Sequence, residues 1–213
     1  MEKFTRLVGV AAPLAQDNVD TDAIIPVSHM KSLDADYGRS LFANLRYRPD
    51  GSELPEFVLN RLEYRSAKIL VSGANFGCGS SRENAVWALD RFGIRCVIAL
   101  GFSDIFRENA FKNGLLPIAL AKSVHGMLAF AAMETELTLT IDVAARQVVL
   151  PSGEAIGFEL DPRRQASLLE GADEIAETLR LQGRIDAFRA QHRLRAPWLY
   201  PSTLGQPRAA GDA

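Results

Sequence analysis

Cysteine and histidine are scarce in this sequence of 213 residues, and this limits the cofactors that the chain can hold by itself. The two cysteines, Cys78 and Cys96, are fewer than the three or four thiolates that an iron–sulfur cluster normally takes. The three histidines lie far apart, at positions 29, 125 and 192, and none has the spacing of a zinc-binding helix motif. We therefore expect this chain to bind no metal and no cofactor of its own.

Long apolar runs are also missing. No stretch of about 18 apolar residues occurs, so the sequence predicts no membrane-spanning helix. The short apolar run near the amino terminus breaks at Pro13 and lacks the length and flanks of a secretion signal. A low cysteine content suits a reducing compartment. We expect a soluble, cytoplasmic protein with no membrane partner.

Composition and charge indicate an ordinary globular chain. Hydrophobic residues make up 47% and charged residues 23%, which is enough apolar material for a core without disulfides. The net charge of −2 gives no general attraction for nucleic acid. The basic run between 180 and 195 is explained by a solvated helix face. We predict one domain over residues 1–195 with a C-terminal helical extension, and a flexible tail over 196–213.

Strand and helix patterns alternate through the middle of the chain, which is typical of an α/β fold with parallel pairing. A hairpin pattern follows, while residues 28–55 show no sustained period and are predicted to be long irregular structure. The predicted strands are 4–12, 67–71, 95–100, 116–120, 137–143, 147–150 and 155–160, and the predicted helices are 80–92, 103–112, 123–133, 162–170 and 173–182.

The segment 75–84, Asn-Phe-Gly-Cys-Gly-Ser-Ser-Arg-Glu-Asn, is the part of the sequence that indicates chemistry. Ser80 and Glu83 have the spacing of a capping box, which predicts a helix that starts at Ser80. Unpaired N–H groups at a helix start attract anions, and a glycine such as Gly79 lets a ligand approach the backbone. Arg82 adds a planar fork that suits a carboxylate. We expect a small carboxylic acid to bind here.

Familiar nucleotide and hydrolase motifs do not fit this segment. After Gly77-Cys78-Gly79, Arg82 stands where a dinucleotide fingerprint needs its third glycine, and the lysine of a P-loop is missing. The serines lack the Gly-x-Ser-x-Gly context of a serine hydrolase, and Cys78 lacks the surroundings of a papain-type nucleophile. Cys78 lies where a helix start would favour a thiolate, so it is either a reactive thiol or a small neighbour of the site.

Four motifs together resemble those of the swivelling domain found in aconitases and in the small subunits of isopropylmalate dehydratases. They are Asn75–Glu83 followed by Trp87-Ala88-Leu89, Asn18–Pro26, Asp104–Phe106 and Asn113–Pro117. The resemblance covers roughly residues 4–182 with the same order and spacing. It implies an α/β swivelling domain of the β/β/α kind.

The resemblance also implies a reaction and a partner. In this family a separate large subunit carries a 4Fe–4S cluster that binds the substrate hydroxyl, and the small subunit closes the site. Ser80 is then the base that removes a proton from a 2-hydroxy diacid, with Ser81, Arg82 and Gly79 as substrate-binding residues. Asp22 matches an acidic position near the site, although a turn or cap explains it equally well. We expect a heterodimer, or a dimer of heterodimers, that interconverts 2-isopropylmalate and 3-isopropylmalate in the leucine branch of branched-chain amino-acid biosynthesis.

Several residues depart from the family pattern and leave the substrate open. Val27 replaces a lysine, Asn84 a histidine and Val86 a proline, and the segment 28–48, which shapes the substrate's side-group pocket in relatives, is also atypical. The alternative is a paralogous hydro-lyase for citramalate/citraconate or dimethylmalate. A further alternative, from another class, is a non-catalytic RNA-binding or regulatory module, which a steep loss of RNA binding with salt would support.

Overall fold

The computed structural model describes residues 1–30, 36–79 and 82–200 and divides the chain into two units, Met1–Ala172 and Asp173–Ala213. Each unit is considered by itself. The helical extension predicted at the carboxyl end therefore begins after Ala172. Of the predicted tail, residues 196–213, only those up to Tyr200 are described, and Pro197–Leu199 form a 3₁₀ turn.

A mixed seven-stranded sheet in the order β4-β3-β2-β1-β5-β6-β7 forms the centre of the first unit. Its strands are β1 (Arg6–Leu14), β2 (Ile69–Ser72), β3 (Cys96–Ala99), β4 (Leu116–Ala119), β5 (Thr138–Asp142), β6 (Gln147–Val149) and β7 (Ala155–Gly157). The predicted parallel pairing and the predicted β5–β6 hairpin are both confirmed. The fold class is α/β, as expected.

Strand β1 belongs to both halves of this sheet. Its first part, Arg6–Val10, pairs antiparallel with β5, and its second part, Ala11–Leu14, pairs parallel with β2. Strands β1 to β4 therefore point the same way, and their carboxyl ends meet at one edge. Ligands in open α/β sheets bind at such an edge, in the loops that follow the strands. The predicted site residues lie in the segments that follow β1 and β2.

Helices cover both faces of the parallel half. The helices of this unit are α1 (Thr21–Ile24), α2 (Tyr37–Ser40), α3 (Ala43–Arg46), α4 (Glu83–Phe92), α5 (Asp104–Lys112), α6 (Lys122–Glu134) and α7 (Pro162–Glu170), with 3₁₀ turns at Val27–Met30, Val58–Asn60 and Leu62–Tyr64. The second unit contains α8 (Glu174–Leu179) and α9 (Gln182–Arg195). Two hydrophobic clusters lie on the two faces of the sheet, and alternate residues of β2 belong to different clusters. Leu70 is in the cluster that contains Leu89 of α4, while Ile69 is in the cluster that contains Leu128 of α6. Strands buried on both faces carry the near-continuous apolar sequence seen here.

The predicted elements are found in the structure with bounds that differ by up to three residues; the strand predicted over 155–160, for example, ends at Gly157. Three regions need further correction. The helix predicted from Ser80 begins at Glu83, because Arg82 is extended (φ −130°, ψ 113°) and occupies the N-cap position. The segment 28–55, predicted to be irregular, contains α2 and α3. The helix predicted over 173–182 is shorter, and a longer helix, α9, follows it.

The second unit is described through Tyr200. Its helix α9 buries none of its side chains, so the predicted basic run, apart from Arg180 at the end of α8, lies on an exposed helix. Tyr200 returns to this helix, where its hydroxyl lies 2.9 Å from Nδ1 of His192. Among the helices of the described residues, none combines the length and the hydropathy needed to cross a bilayer.

Candidate active site

Two loops at the carboxyl edge of the sheet are joined by backbone hydrogen bonds. The loop after β1 and the loop after β2 exchange four of them: Gly73 N–H to Gln16 O (3.0 Å), Asn18 N–H to Ala74 O (2.8 Å), Gly77 N–H to Val19 O (2.7 Å) and Thr21 N–H to Cys78 O (3.0 Å). These bonds extend the β1–β2 pairing past the ends of the strands. The residues around position 20 are thereby held beside those around position 78.

Side chains reinforce the same junction. The Asp17 carboxylate accepts from the Ala74 N–H at 2.6 Å, and the Asn75 side chain donates to that of Asn18 at 2.9 Å. Asn18 and Asn75 both have a φ of +55°, a conformation that asparagine tolerates better than most residues. Gly73 leaves room for Asp17, since a Cβ atom there would lie 2.0 Å from its Oδ1. Asp17 could not be identified from the sequence, because no local pattern links it to a residue 57 positions away.

The loop after β3 supports this turn from the other side. The Phe76 N–H donates to Gly101 O at 3.0 Å, and Oγ of Ser103 donates to Gly77 O at 2.5 Å. Gly77 has a φ of +74°, and a Cβ atom there would lie 2.2 Å from the Phe106 ring. The predicted N-cap role of Ser103 is confirmed, since its side chain also accepts from Phe106 N–H. One serine thus caps α5 and fixes the turn.

The structure brings together two of the predicted site residues, Asp22 and Arg82, in an ion pair from Nη1 to Oδ1. The Arg82 side chain is 23% exposed and that of Asp22 is 57% exposed, so the pair faces solvent on one side. The alternative interpretation of Asp22 as a helix cap is wrong, because Asp20 caps α1 by accepting from Ala23 N–H at 2.6 Å. The Asp22 carboxylate is therefore available to orient the guanidinium.

Gly79 lies in the same turn, exposed and with a φ of +86°. A Cβ atom there would lie 3.5 Å from that of Asp20, so the turn is open rather than tightly packed at this point. Ser80 and Ser81, predicted as the base and a substrate-binding residue, lie outside the described residues. They connect Gly79 to Arg82, and both flanking residues are described.

The first turn of α4 is fixed by side chains from two other helices. Asn113, at the end of α5, donates to the Glu83 carboxylate at 2.9 Å and accepts from the Trp87 indole at 3.0 Å. On the α2 side, Asn84 donates to the Tyr37 hydroxyl at 3.0 Å. These contacts could not be predicted from the sequence. Asn113 belongs to one of the four family motifs, but no sequence pattern indicates which residues its side chain contacts.

The two cysteines lie in different surroundings. Cys78 is half-buried in the turn, while Cys96 is fully buried in β3, where loss of hydration raises the pKa of its thiol. Within residues 1–30, 36–79 and 82–200, no three histidine, cysteine or acidic side chains are grouped so that they could hold a metal ion. The described side chains therefore do not fit an iron–sulfur cluster.

The departures from the family pattern lie in different places. Val86 is completely buried in the core, Val27 is 47% exposed, and Asn84 contacts Tyr37. The segment 28–48 borders an open cavity of about 840 Å³. Its lining includes Ser28, His29, Arg39, Asn44, Tyr47 and Arg48. Val86 therefore reflects packing, whereas the other departures are near loops that a ligand or partner can reach.

Comparison with known proteins gives concordant results. The family model of the aconitase C-terminal domain matches residues 1–123, and the LeuD_N model matches residues 128–162. The chain is 52% identical over 200 residues to a 3-isopropylmalate dehydratase small subunit from Rhodospirillum centenum, covering 93% of this chain and 98% of that protein. It is 52% identical over 201 residues to the same subunit from Paramagnetospirillum magneticum, covering 93% of this chain and 100% of that protein.

A solved structure has a similar fold. The crystal structure of a 3-isopropylmalate dehydratase from Methanocaldococcus jannaschii superimposes with a TM-score of 0.62 at 27% sequence identity. The superposition covers 86% of this chain and 99% of that chain.

Proposed function

The chain belongs to the family of 3-isopropylmalate dehydratase small subunits, and on that premise we propose that it completes the active site of a hydro-lyase. The reaction is the interconversion of 2-isopropylmalate and 3-isopropylmalate in leucine biosynthesis, by loss and re-addition of water. The chain does this together with a large subunit, which the relatives' description as small subunits implies.

The Asp22–Arg82 ion pair carries this proposal. An arginine fork held by one carboxylate can take a second carboxylate from a ligand, and each substrate isomer has two. The pair lies at the edge where the parallel strands end, beside a turn that is free of bulky side chains at Gly79. We assign Arg82 to a substrate carboxylate, with Asp22 orienting the guanidinium and Gly79 leaving space for the ligand.

Ser80 is the proposed base. It takes the proton from the carbon next to a carboxylate, while the substrate's hydroxide departs on the opposite side, and the unsaturated diacid is formed. A serine is a weak base unless its alkoxide is stabilised by N–H donors in a site that excludes water. Backbone N–H groups at the start of α4, together with Ser81, are proposed as these donors, and contact with the large subunit would exclude water.

The large subunit is proposed to carry the 4Fe–4S cluster, which supplies the Lewis acid for the departing hydroxyl. This chain has only two cysteines, and one of them is fully buried in β3. Cluster reconstitution should therefore give a chromophore with the complex and none with this chain alone. A cluster formed on the isolated chain would contradict the assignment.

The decisive experiment is turnover by the complex. This chain is co-expressed with the large subunit, the cluster is rebuilt without oxygen, and the unsaturated product is followed by ultraviolet absorbance. We expect turnover of isopropylmalate, and its loss in Ser80→Ala with the complex intact. The matched control is Ser123→Ala, at an exposed position on α6. Normal turnover in Ser80→Ala would remove Ser80 as the base.

The same assay separates the substrate alternatives. Preference for citramalate or dimethylmalate would support the same reaction type in a different pathway. The residues around Asn84 and the cavity beside segment 28–48 would then be the first candidates for the determinants of substrate preference. No turnover of any of these acids, with complex and cluster intact, would reject the enzymatic proposal in favour of a binding module.

A further inference from the structure

Asn113 uses both ends of its side-chain amide at the start of α4. Its Nδ2 donates to the Glu83 carboxylate (2.9 Å) and to Asn109 O (2.9 Å), and its Oδ1 accepts from Nε1 of Trp87 (3.0 Å). It also forms the C-cap of α5. The three side chains therefore join the end of one helix to the first turn of another, 30 positions apart in the chain.

The chemistry of the partners fixes the orientation of this amide. A carboxylate only accepts hydrogen bonds and an indole N–H only donates, so the nitrogen of Asn113 must face Glu83 and its oxygen must face Trp87. Aspartate would keep the contact with Trp87 but repel Glu83. Leucine would fill similar space and satisfy neither partner. Asparagine is thus the residue of this size that meets both requirements.

Glu83 is the neighbour of Arg82, and its negative charge is unfavourable for binding a carboxylate. If its side chain were released, it would repel an incoming carboxylate and compete with Asp22 for the guanidinium. The bond to Asn113 holds this carboxylate toward α5. Tyr37 of α2 contacts the same helix: its hydroxyl accepts from the Asn84 side chain at 3.0 Å, and its ring packs edge-on against Trp87, with ring centroids 5.7 Å apart. The first turn of α4 is therefore bonded to both α5 and α2.

We propose that Asn113 is a positioning residue for the carboxylate-binding Arg82. It acts by holding Glu83 away from the bound anion and by fixing the helix start that follows Arg82. This inference rests on the proposed function of Arg82 and adds to it a contact from α5.

The test is Asn113→Asp in the complete complex. Two carboxylates then face each other, and we expect the KM for isopropylmalate to rise roughly tenfold, the effect of losing one hydrogen bond to a charged group. We expect kcat to change much less. The second substitution Glu83→Gln, made in the same chain, restores a donor–acceptor pair with the roles reversed, and KM should return to within about threefold of wild type. The matched control for an amide-to-acid change is Gln191→Glu on the exposed helix α9, which should leave KM unchanged.

A measurement on this chain alone makes the result independent of turnover. The Nε–Hε resonance of Arg82, identified by its disappearance in Arg82→Lys, should shift in Asn113→Asp and return in the double variant. An unshifted resonance, or an unchanged KM, would overturn the role of Asn113 while leaving the enzyme proposal in place. If the wild-type complex lacked turnover, the proposed function would fail, and the resonance would still decide whether Asn113 positions Arg82.

Discussion

Asp22 on α1 pairs with Arg82 at the start of α4, although 60 positions separate them in the chain. Each residue follows one of two adjacent parallel strands, so the sheet brings them together. More than half of the Asp22 side chain is exposed, and exposed ion pairs contribute about 0 to 1 kcal/mol to stability. The value of this pair therefore lies in orienting the arginine fork rather than in stabilising the fold.

Replacing Arg82 by lysine tests that orientation. Lysine keeps the charge but cannot contact a carboxylate with two parallel N–H groups. We expect Arg82→Lys to lower kcat/KM roughly 30- to 150-fold, which corresponds to a loss of about 2 to 3 kcal/mol of transition-state stabilisation. Asp22→Asn should have a smaller effect, since the guanidinium remains. Steady-state kinetics of the complex measures both. Equal losses in the two variants would mean that Asp22 does more than orient Arg82.

Gly77 provides a second prediction, about the turn itself. In Gly77→Ala the new methyl would meet the Phe106 ring at 2.2 Å, in a backbone with a φ of +74°. In Gly93→Ala the φ is +111° but no atom lies within 4 Å. Backbone strain alone costs about 1 to 3 kcal/mol, so Gly77→Ala should lose clearly more unfolding free energy than Gly93→Ala. Urea denaturation compares them, and similar losses would show that the Phe106 ring moves aside freely.

These turns also show what sequence patterns could predict. The Ser103 cap, the helix end at Gly93 and the alternation of strands and helices follow from neighbouring residues, and the structure agrees. The start of α4 could not be predicted in this way. Ser80 and Glu83 have the spacing of a capping box, but the Glu83 carboxylate bonds to Asn113, on another helix. A side-chain contact with a residue far away in the sequence cannot be predicted from the neighbouring residues.

The segment 28–55 was harder to predict for a related reason. Helices α2 and α3 have four residues each, too few to show a helical period. They are held by Arg46, which is buried and donates to Asn60 and to two backbone carbonyls. Burial lowers the pKa of Arg46, because the charged form loses hydration. Buried arginines are uncommon, so composition alone places this residue on the surface.

A third prediction concerns the two thiols. Cys78 is half-buried in the turn and Cys96 is fully buried. In the folded chain a maleimide should modify the Cys78 thiol, whereas the Cys96 thiol should react only after unfolding. Peptide mass mapping identifies the site. Because the structure gives Cys78 a backbone contact with Thr21, Cys78→Ala should keep turnover within about threefold, whereas the bulky adduct should block it. A large loss in Cys78→Ala would favour a reactive role for this thiol.

The last prediction concerns stability at alkaline pH. Burial raises the pKa of the Cys96 thiol above its value in the unfolded chain, which is about 8.5. Below that pH both states keep the proton and the contribution to stability is complete. As the pH rises further, the Cys96 thiol ionises in the unfolded chain but not in the folded chain, so the unfolding free energy should fall by up to about 1.4 kcal/mol per pH unit.

Urea denaturation with a reductant at pH 7.5, 8.5 and 9.5 measures this slope. The Cys96→Ala variant should show a smaller slope, whatever its unfolding free energy at pH 7.5, and the Cys78→Ala variant should keep the wild-type slope. An unchanged slope in Cys96→Ala would assign the alkaline loss to other groups, of which Tyr64, whose pKa burial also raises, is the first to test.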